Sequence, residues 1–155
     1  WHRCLQTHGF LMFSCLGPDT LLELRDLYVN LGWPAPAQAF TDMHDWGDML
    51  IEAGFSEPVM DMERIVLTFE TPDRLLGELR ELGRNLNPLR FQGCRGRSWL
   101  ADLKKHLQSS GPLELTFEVI YGHAIKPPPR TPMASQAVIS LQDMKTALRQ
   151  KKNSG

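Results

Sequence analysis

The hydrophobic and polar positions along the chain change between strand-like and helix-like spacing. Residues 10–13 form a continuous apolar run, which is typical of a strand covered on both faces in a parallel sheet. Apolar and polar residues alternate at 65–69 and again at 113–121, the spacing of a strand with one buried face. The last of these strands places Leu115 and Phe117 on one face and Glu118 on the other. Three strands are therefore predicted.

The first predicted helix follows the first strand directly. Thr20 and Glu23 have the spacing of a capping box, in which the hydroxyl and the carboxylate each bind a free backbone amide of the first turn. The helix that they predict carries Leu24 and Tyr28 on one face. Gly17 lies in the turn that connects the strand to this helix.

Three more helices are predicted further along the chain. One begins at Thr41 or Asp42. Another begins at Thr71, with a proline in the first turn, and extends an apolar stripe as far as Leu86. A third is capped by Ser98.

A proline-rich stretch divides the chain. Residues 127–139 cannot pack as a helix or as an inner strand and are predicted to be a linker. Residues 140–155 are predicted to form a short C-terminal helix with a frayed tail. The main unit is therefore residues 1–126, and alternation of strands and helices predicts an α/β fold.

The first residues resemble the inside of a domain more than its start. The chain has no initiator methionine, and a polar segment ending at Gly9 leads straight into the first strand. A helix is connected to a buried strand in this way within an α/β sheet. We expect the chain to be the C-terminal part of a longer, incomplete α/β domain, whose other part supplies a neighbour for the first strand.

Composition narrows the class of protein. With 42% hydrophobic and 23% charged residues the chain is ordinary for a globular domain, and no apolar run approaches a membrane span. The three cysteines are odd in number and far apart, which argues against a disulfide framework and for a reducing compartment, the cytoplasm. We expect no membrane partner.

Several stretches resemble one family when they are taken together. They are residues 2–13, 16–25, 40–48, 53–63 and 121–124, and they include Gly17-Pro18-Asp19 and Asp42-Met43-His44-Asp45. The first resembles the segment that leads into the fifth strand of class I S-adenosylmethionine-dependent methyltransferases. The others resemble the biotin-synthesis branch of that class, the malonyl-acyl-carrier-protein O-methyltransferases. The likeness extends over about residues 1–126.

The resemblance implies a Rossmann-like sheet of which this chain holds strands five, six and seven, with the last strand antiparallel between the other two. It also implies methyl transfer from S-adenosylmethionine to the free carboxylate of malonyl-acyl-carrier protein. The family's glycine-rich cofactor loop and its acidic ribose ligand have no equivalent here, so we expect no cofactor-binding residue in this segment and no activity from it alone. Thr7-His8 also replaces the family's Pro-Gly before the strand.

Methyl transfer to a carboxylate requires alignment and desolvation more than proton transfer, so we look for positioning groups. Gly17 and Asp19 follow a strand, at the edge where doubly wound sheets bind ligands; the alternative is a plain turn. His44 and Asp45 belong to a dense polar cluster, for which capping of the helix is the alternative. A metal site at this cluster would need a third or fourth ligand, which the sequence does not indicate. Tyr121 and His123 share one face of the last strand. We expect them to bind substrate; the alternative is a pair of core residues. The predicted substrate-binding residues are thus Gly17, Asp19, His44, Asp45, Tyr121 and His123.

A basic segment offers a surface for an acidic partner. Only Glu81 and Asp102 oppose its positive charges. Acyl-carrier proteins are strongly acidic, and a basic rim would steer one to the site. The alternatives are a solvated helical face and a nucleic-acid surface, the latter disfavoured by the overall charge of −1 and the few aromatics there. The basic residues are Arg80, Arg84, Arg90, Arg95, Arg97, Lys104 and Lys105.

Two other functions stay open. One is a methyltransferase-fold enzyme with a different acceptor, such as the hydroxylase-like relative that serves respiratory complex I assembly. The other is a truncated methyltransferase-like module that only binds a partner and has no catalytic role.

Overall fold

The computed structural model describes residues 1–109, 111–129 and 142. In that part of the chain three strands and four helices follow the predicted order. They are β1 (Phe10–Leu16), α1 (Leu22–Asn30), α2 (Met43–Glu52), β2 (Ser56–Thr68), α3 (Pro72–Glu81), α4 (Arg97–Ser109) and β3 (Glu114–Ile125). The predicted helix at 140–155 and most of the predicted linker at 127–139 lie outside the described residues.

The strands form one sheet in the order β1-β3-β2, and β3 is antiparallel to both neighbours. The last strand therefore lies in the middle, as the resemblance implied. Helices cover both faces. One core joins α1, α3 and α4 to β3, and the other joins α2 to the opposite face. The first is built from Leu24, Tyr28, Leu75, Leu103, Leu107 and Leu115, and the second from Leu50, Phe55 and Ala124.

The prediction that β1 is buried on both faces is wrong within the described chain. β1 is an edge strand whose only described neighbour is β3. Leu11 and Phe13 pack toward α2, whereas Phe10 and Met12 are 62% and 72% exposed. An apolar run carries no information about which of its faces another element covers.

Other predicted boundaries also move. β2 extends from Ser56 to Thr68, well before the predicted start at 65. Met60 and Met62 alternate with Asp61 and Glu63, a strand pattern that the prediction left unused. α3 ends at Glu81, so the apolar stripe does not continue to Leu86, which is 73% exposed. α4 begins at Arg97, which places Ser98 inside the helix and not at its cap.

The predicted capping box is also wrong, because Thr20 and Glu23 bind β3 and not the first turn of α1. The hydroxyl of Thr20 accepts from the backbone N–H of Glu118 and donates to its C=O, both at 3.2 Å. One carboxylate oxygen of Glu23 accepts from the backbone N–H of Thr116 at 2.9 Å, and the other contacts its hydroxyl. Beyond the end of β1 these side chains replace the backbone partners that a strand would supply to β3.

His8 has a backbone conformation that glycine would favour. Its φ is +65°, in the left-handed region, at one of the two positions where the related family has Pro-Gly. A side chain in that region costs about 1–2 kcal/mol. Glycine removes this cost, but it also gains more entropy when the chain unfolds. We therefore expect His8→Gly to raise the free energy of unfolding by only about 0.5–1 kcal/mol. Chemical denaturation measures this, with His8→Ala as the control; an equal gain from alanine would contradict the argument.

Candidate functional site

The best-connected polar cluster lies where β1 ends. Gly17 donates its backbone N–H to the C=O of Glu118 at 2.8 Å, and Asp19 donates its N–H to the Glu118 carboxylate at 2.7 Å. Arg64, from β2, forms an ion pair with the Asp19 carboxylate. A Cβ on Gly17 would stand 2.6 Å from the Glu118 carboxyl carbon, so any larger residue would displace the buried Glu118 side chain. The cluster thus connects all three strands at the point where β1 ends.

Sequence reasoning missed two members of this cluster. Glu118 was placed on the polar face of its strand, yet it is 4% exposed, because the turn at 17–20 closes over it. Arg64 precedes the predicted start of its strand and carried no motif. Its Cα lies opposite Glu118 in the β2–β3 register, which only strand pairing can reveal.

His44 and Asp45 lie in the first turn of α2. Asp42 is the N-cap, and its carboxylate accepts from the backbone N–H of His44 at 2.7 Å. The capping alternative is therefore confirmed for Asp42, while His44 and Asp45 are exposed. Within the described residues no three His, Cys, Asp or Glu side chains are grouped as metal ligands would be.

Tyr121 and His123 project from the opposite face of the sheet to α2. Gly122, between them, faces Phe13 and Met60, which belong to the α2 side. Both Tyr121 and His123 are exposed, so the core-pair alternative is wrong. The Tyr121 hydroxyl lies 3.5 Å from a carboxylate oxygen of Glu63.

The structure does not bring the six predicted substrate residues together. Gly17 lies beside Glu118, five residues along β3 from His123, a separation of roughly 16 Å at about 3.3 Å per residue. His44 lies on α2, which covers the face of the sheet opposite to Tyr121 and His123. Gly17 and Asp19 form one group, His44 and Asp45 a second, and Tyr121 and His123 a third.

The basic residues also divide into groups. Lys104, on α4, forms an ion pair with Asp73, on α3. Arg80 and Arg84 line a cavity beside α3. Arg97 and Lys105 are exposed on α4, and Arg90 is exposed in the preceding loop.

Arg95 is enclosed by aromatic rings and is not a free surface charge. Its guanidinium carbon lies 4.2 Å from the centroid of the Trp99 ring and 4.7 Å from that of Phe91. The rings of Tyr28 and Trp33 are 5.7 Å and 5.5 Å away, within the range of cation–π attraction. Burial raises the pKa of Tyr28, and the Arg95 charge partly opposes that rise. Arg95 thus fixes its loop against α1 and α4.

Cys15 is half-buried in β1 on the α2 side of the sheet. Burial raises the pKa of its thiol above the ordinary value, so the thiol stays protonated at neutral pH. Cys15 therefore has the properties of a small apolar residue and not those of a nucleophile.

Comparison with known proteins tests the resemblance. The chain is 46% identical over 142 residues to malonyl-acyl-carrier-protein O-methyltransferase of Gallionella capsiferriformans, which covers 89% of this chain and 49% of that protein. The resemblance is confirmed. Enzymes of the same name from Laribacter hongkongensis and Nitrosospira multiformis are 42% and 43% identical, over 84% and 83% of this chain and 45% and 43% of theirs.

The chain spans about half the length of these O-methyltransferases. No protein-family profile matches it. Among the described helices none is both long and apolar enough to cross a membrane.

Proposed function

We propose that the protein carrying this chain transfers a methyl group from S-adenosylmethionine to the free carboxylate of malonyl-acyl-carrier protein, as a cytoplasmic enzyme of biotin synthesis. The observation that carries the proposal is the 46% identity over 142 residues to an enzyme of that name. We further propose that β1, β2 and β3 are strands five, six and seven of a methyltransferase sheet. The position of β3 between antiparallel neighbours supports this assignment.

Asp19 has no polar group free to hold the cofactor. The carboxylate of Asp19 is paired with Arg64, and its backbone N–H is bonded to Glu118. Neither is left to hold a ribose or an amino-acid group. We therefore assign the cofactor to a part of the protein outside this chain and derive no step from it here.

The turn at Gly17 and Asp19 is proposed to shape one wall of the substrate site, since its own polar groups are already paired. It follows the carboxyl end of β1, where doubly wound sheets bind ligands, and Glu118 and Arg64 hold it in place. A rigid turn of this kind suits a reaction that depends on alignment, because the carboxylate of the acceptor is already ionised. The groups at His44 with Asp45 and at Tyr121 with His123 are proposed as separate contacts, since neither lies beside this turn.

The basic rim of α4 is proposed to dock the carrier protein. Arg97 and Lys105 are exposed on this helix, and an acidic partner would be attracted to them over the range of the Debye length. Arg80, Arg84 and Arg90 extend the positive surface. Arg95 and Lys104 contribute less, because aromatic rings enclose the first and Asp73 neutralises the second.

The test is methyl transfer from labelled S-adenosylmethionine by the complete protein that carries this chain. We expect transfer to malonyl-acyl-carrier protein. Arg97→Glu with Lys105→Glu should raise the KM for that substrate about tenfold, on the order of 1 kcal/mol for the reversed charges, and leave the KM for a small malonyl thioester unchanged. The effect should fade at high salt.

Arg3→Glu is the matched control, since Arg3 is an exposed cation outside the basic segment. Equal KM changes for the carrier-bound and the small thioester would refute docking but not the reaction. Transfer to another acceptor, with none to malonyl-acyl-carrier protein, would favour a related methyltransferase. Failure to bind S-adenosylmethionine would favour a binding module.

A further inference from the structure

A cavity of about 470 Å³ lies between α1, α3 and α4, under the segments at 36–40 and 82–86. Its volume is within the range of about 300–1,000 Å³ that small-molecule sites occupy. The walls are apolar for most of their area. They include Leu24, Leu76, Leu79, Leu103, Phe40 and Phe117.

Two interloop bonds build one wall of this cavity. The side-chain amide of Asn85 donates to the C=O of Ala35 at 3.0 Å, and that of Asn87 donates to the C=O of Ala37 at 2.8 Å. Together they hold the segment after α3 against the segment before α2. The cavity is therefore formed before any ligand arrives, which lowers the entropy lost on binding.

The charged groups of the cavity are at its rim, and its polar lining consists of a few side chains, among them Thr20, Tyr28 and Trp99. Arg80 and Arg84 line the cavity and are exposed, so they stand at its mouth, and neither has an ion pair in the described part of the chain. Trp99 lines the cavity, and its buried indole N–H has no hydrogen-bond partner among the described residues. Leu82 and Leu86 add exposed apolar surface at the same mouth.

We propose that this cavity binds a straight-chain fatty acid, with its hydrocarbon chain among the leucines and its carboxylate at Arg80 and Arg84. The site goes beyond the proposed methyl transfer and does not depend on it. A malonyl group is too short and too polar to fill an apolar space of this volume. The apolar share of the walls favours a hydrocarbon chain over a pantetheine arm, whose two amide groups would each need a polar partner.

The experiment is titration of the complete protein that carries this chain with decanoate below its micellar concentration, with binding measured by calorimetry and by tryptophan fluorescence. We expect saturable binding of decanoate and much weaker binding of butyrate, whose chain buries less apolar surface. Arg80→Ala with Arg84→Ala should weaken decanoate binding at least tenfold and leave decanol binding unchanged. Leu79→Phe, which fills the cavity, should weaken both.

Arg90→Ala is the matched control, because Arg90 is exposed in the same segment and does not line the cavity. Circular dichroism verifies that each variant is folded. If Leu79→Phe unfolds, the effect of Arg80→Ala with Arg84→Ala on decanoate binding alone tests the site. Absence of saturable decanoate binding, or binding that the arginine pair does not affect, would overturn the site. Methyl transfer assayed on the complete protein is a separate readout, so its presence without decanoate binding refutes only this site.

Discussion

Gly122→Ala is expected to lower the free energy of unfolding by about 2–3 kcal/mol. Gly122 lies in the middle of β3, the central strand, and is buried. A Cβ there would stand 2.5 Å and 2.6 Å from two ring carbons of Phe13 and 2.9 Å from the sulfur of Met60. Those side chains belong to the core under α2, so the ring cannot move aside without disturbing Leu50 and its neighbours.

Gly77→Ala is the matched control for this prediction. Gly77 is exposed inside α3, and a Cβ there meets no atom within 4 Å. We expect it to raise the free energy of unfolding by about 0.5–1 kcal/mol, because alanine favours the helix. Urea denaturation of both variants measures the difference. If the two variants were equally stable, β3 would have space for a Cβ at Gly122 and the predicted clash would be refuted.

Thr20→Val is expected to lower the free energy of unfolding by about 2–4 kcal/mol, although the two side chains have almost the same volume. The Thr20 side chain is fully buried, and its hydroxyl is bonded to both the N–H and the C=O of Glu118. Valine leaves both backbone groups without that partner, at a cost of about 1–3 kcal/mol for each buried group. The turn at Gly17 and Asp19 should loosen as a result.

Thr20→Ser separates the hydrogen bonds from the packing. Serine keeps the hydroxyl and loses one methyl group, so we expect a loss of only about 1 kcal/mol. Hydrogen exchange at the Glu118 amide gives a second readout, since its protection should fall in the valine variant and persist in the serine variant. A serine variant as unstable as the valine variant would assign the effect to packing instead.

Element type was predictable wherever the pattern was local. The alternation at 113–121 predicted β3, and Asp42 and Thr71 do cap α2 and α3, because a cap depends on a few consecutive residues. Thr20 shows the limit of this reasoning. Thr20 and Glu23 have the spacing of a capping box. The hydroxyl of Thr20 nevertheless binds unpaired backbone groups of the neighbouring strand β3 instead of the first turn of α1.

The candidate site was predictable only in part for the same reason. Gly17 and Asp19 follow a strand, and this position in the sequence was enough to find them. Glu118 and Arg64 could not be found, because their meeting depends on the register of β3 with β2. Arg95 looked like one more surface cation in a basic segment, and only folding surrounds it with four aromatic rings.

By itself the sequence determined the class of fold, the order of strands and helices and the resemblance to the O-methyltransferases, since each depends on composition, local spacing or aligned motifs. Only the tertiary structure decided which of the candidate residues meet, which charges are free, and that a cavity lies under Arg80 and Arg84. Those properties arise from strand register and from helix packing between residues distant in the chain. Local hydrophobic spacing identifies an element and its buried face, but not the distant element that packs against that face.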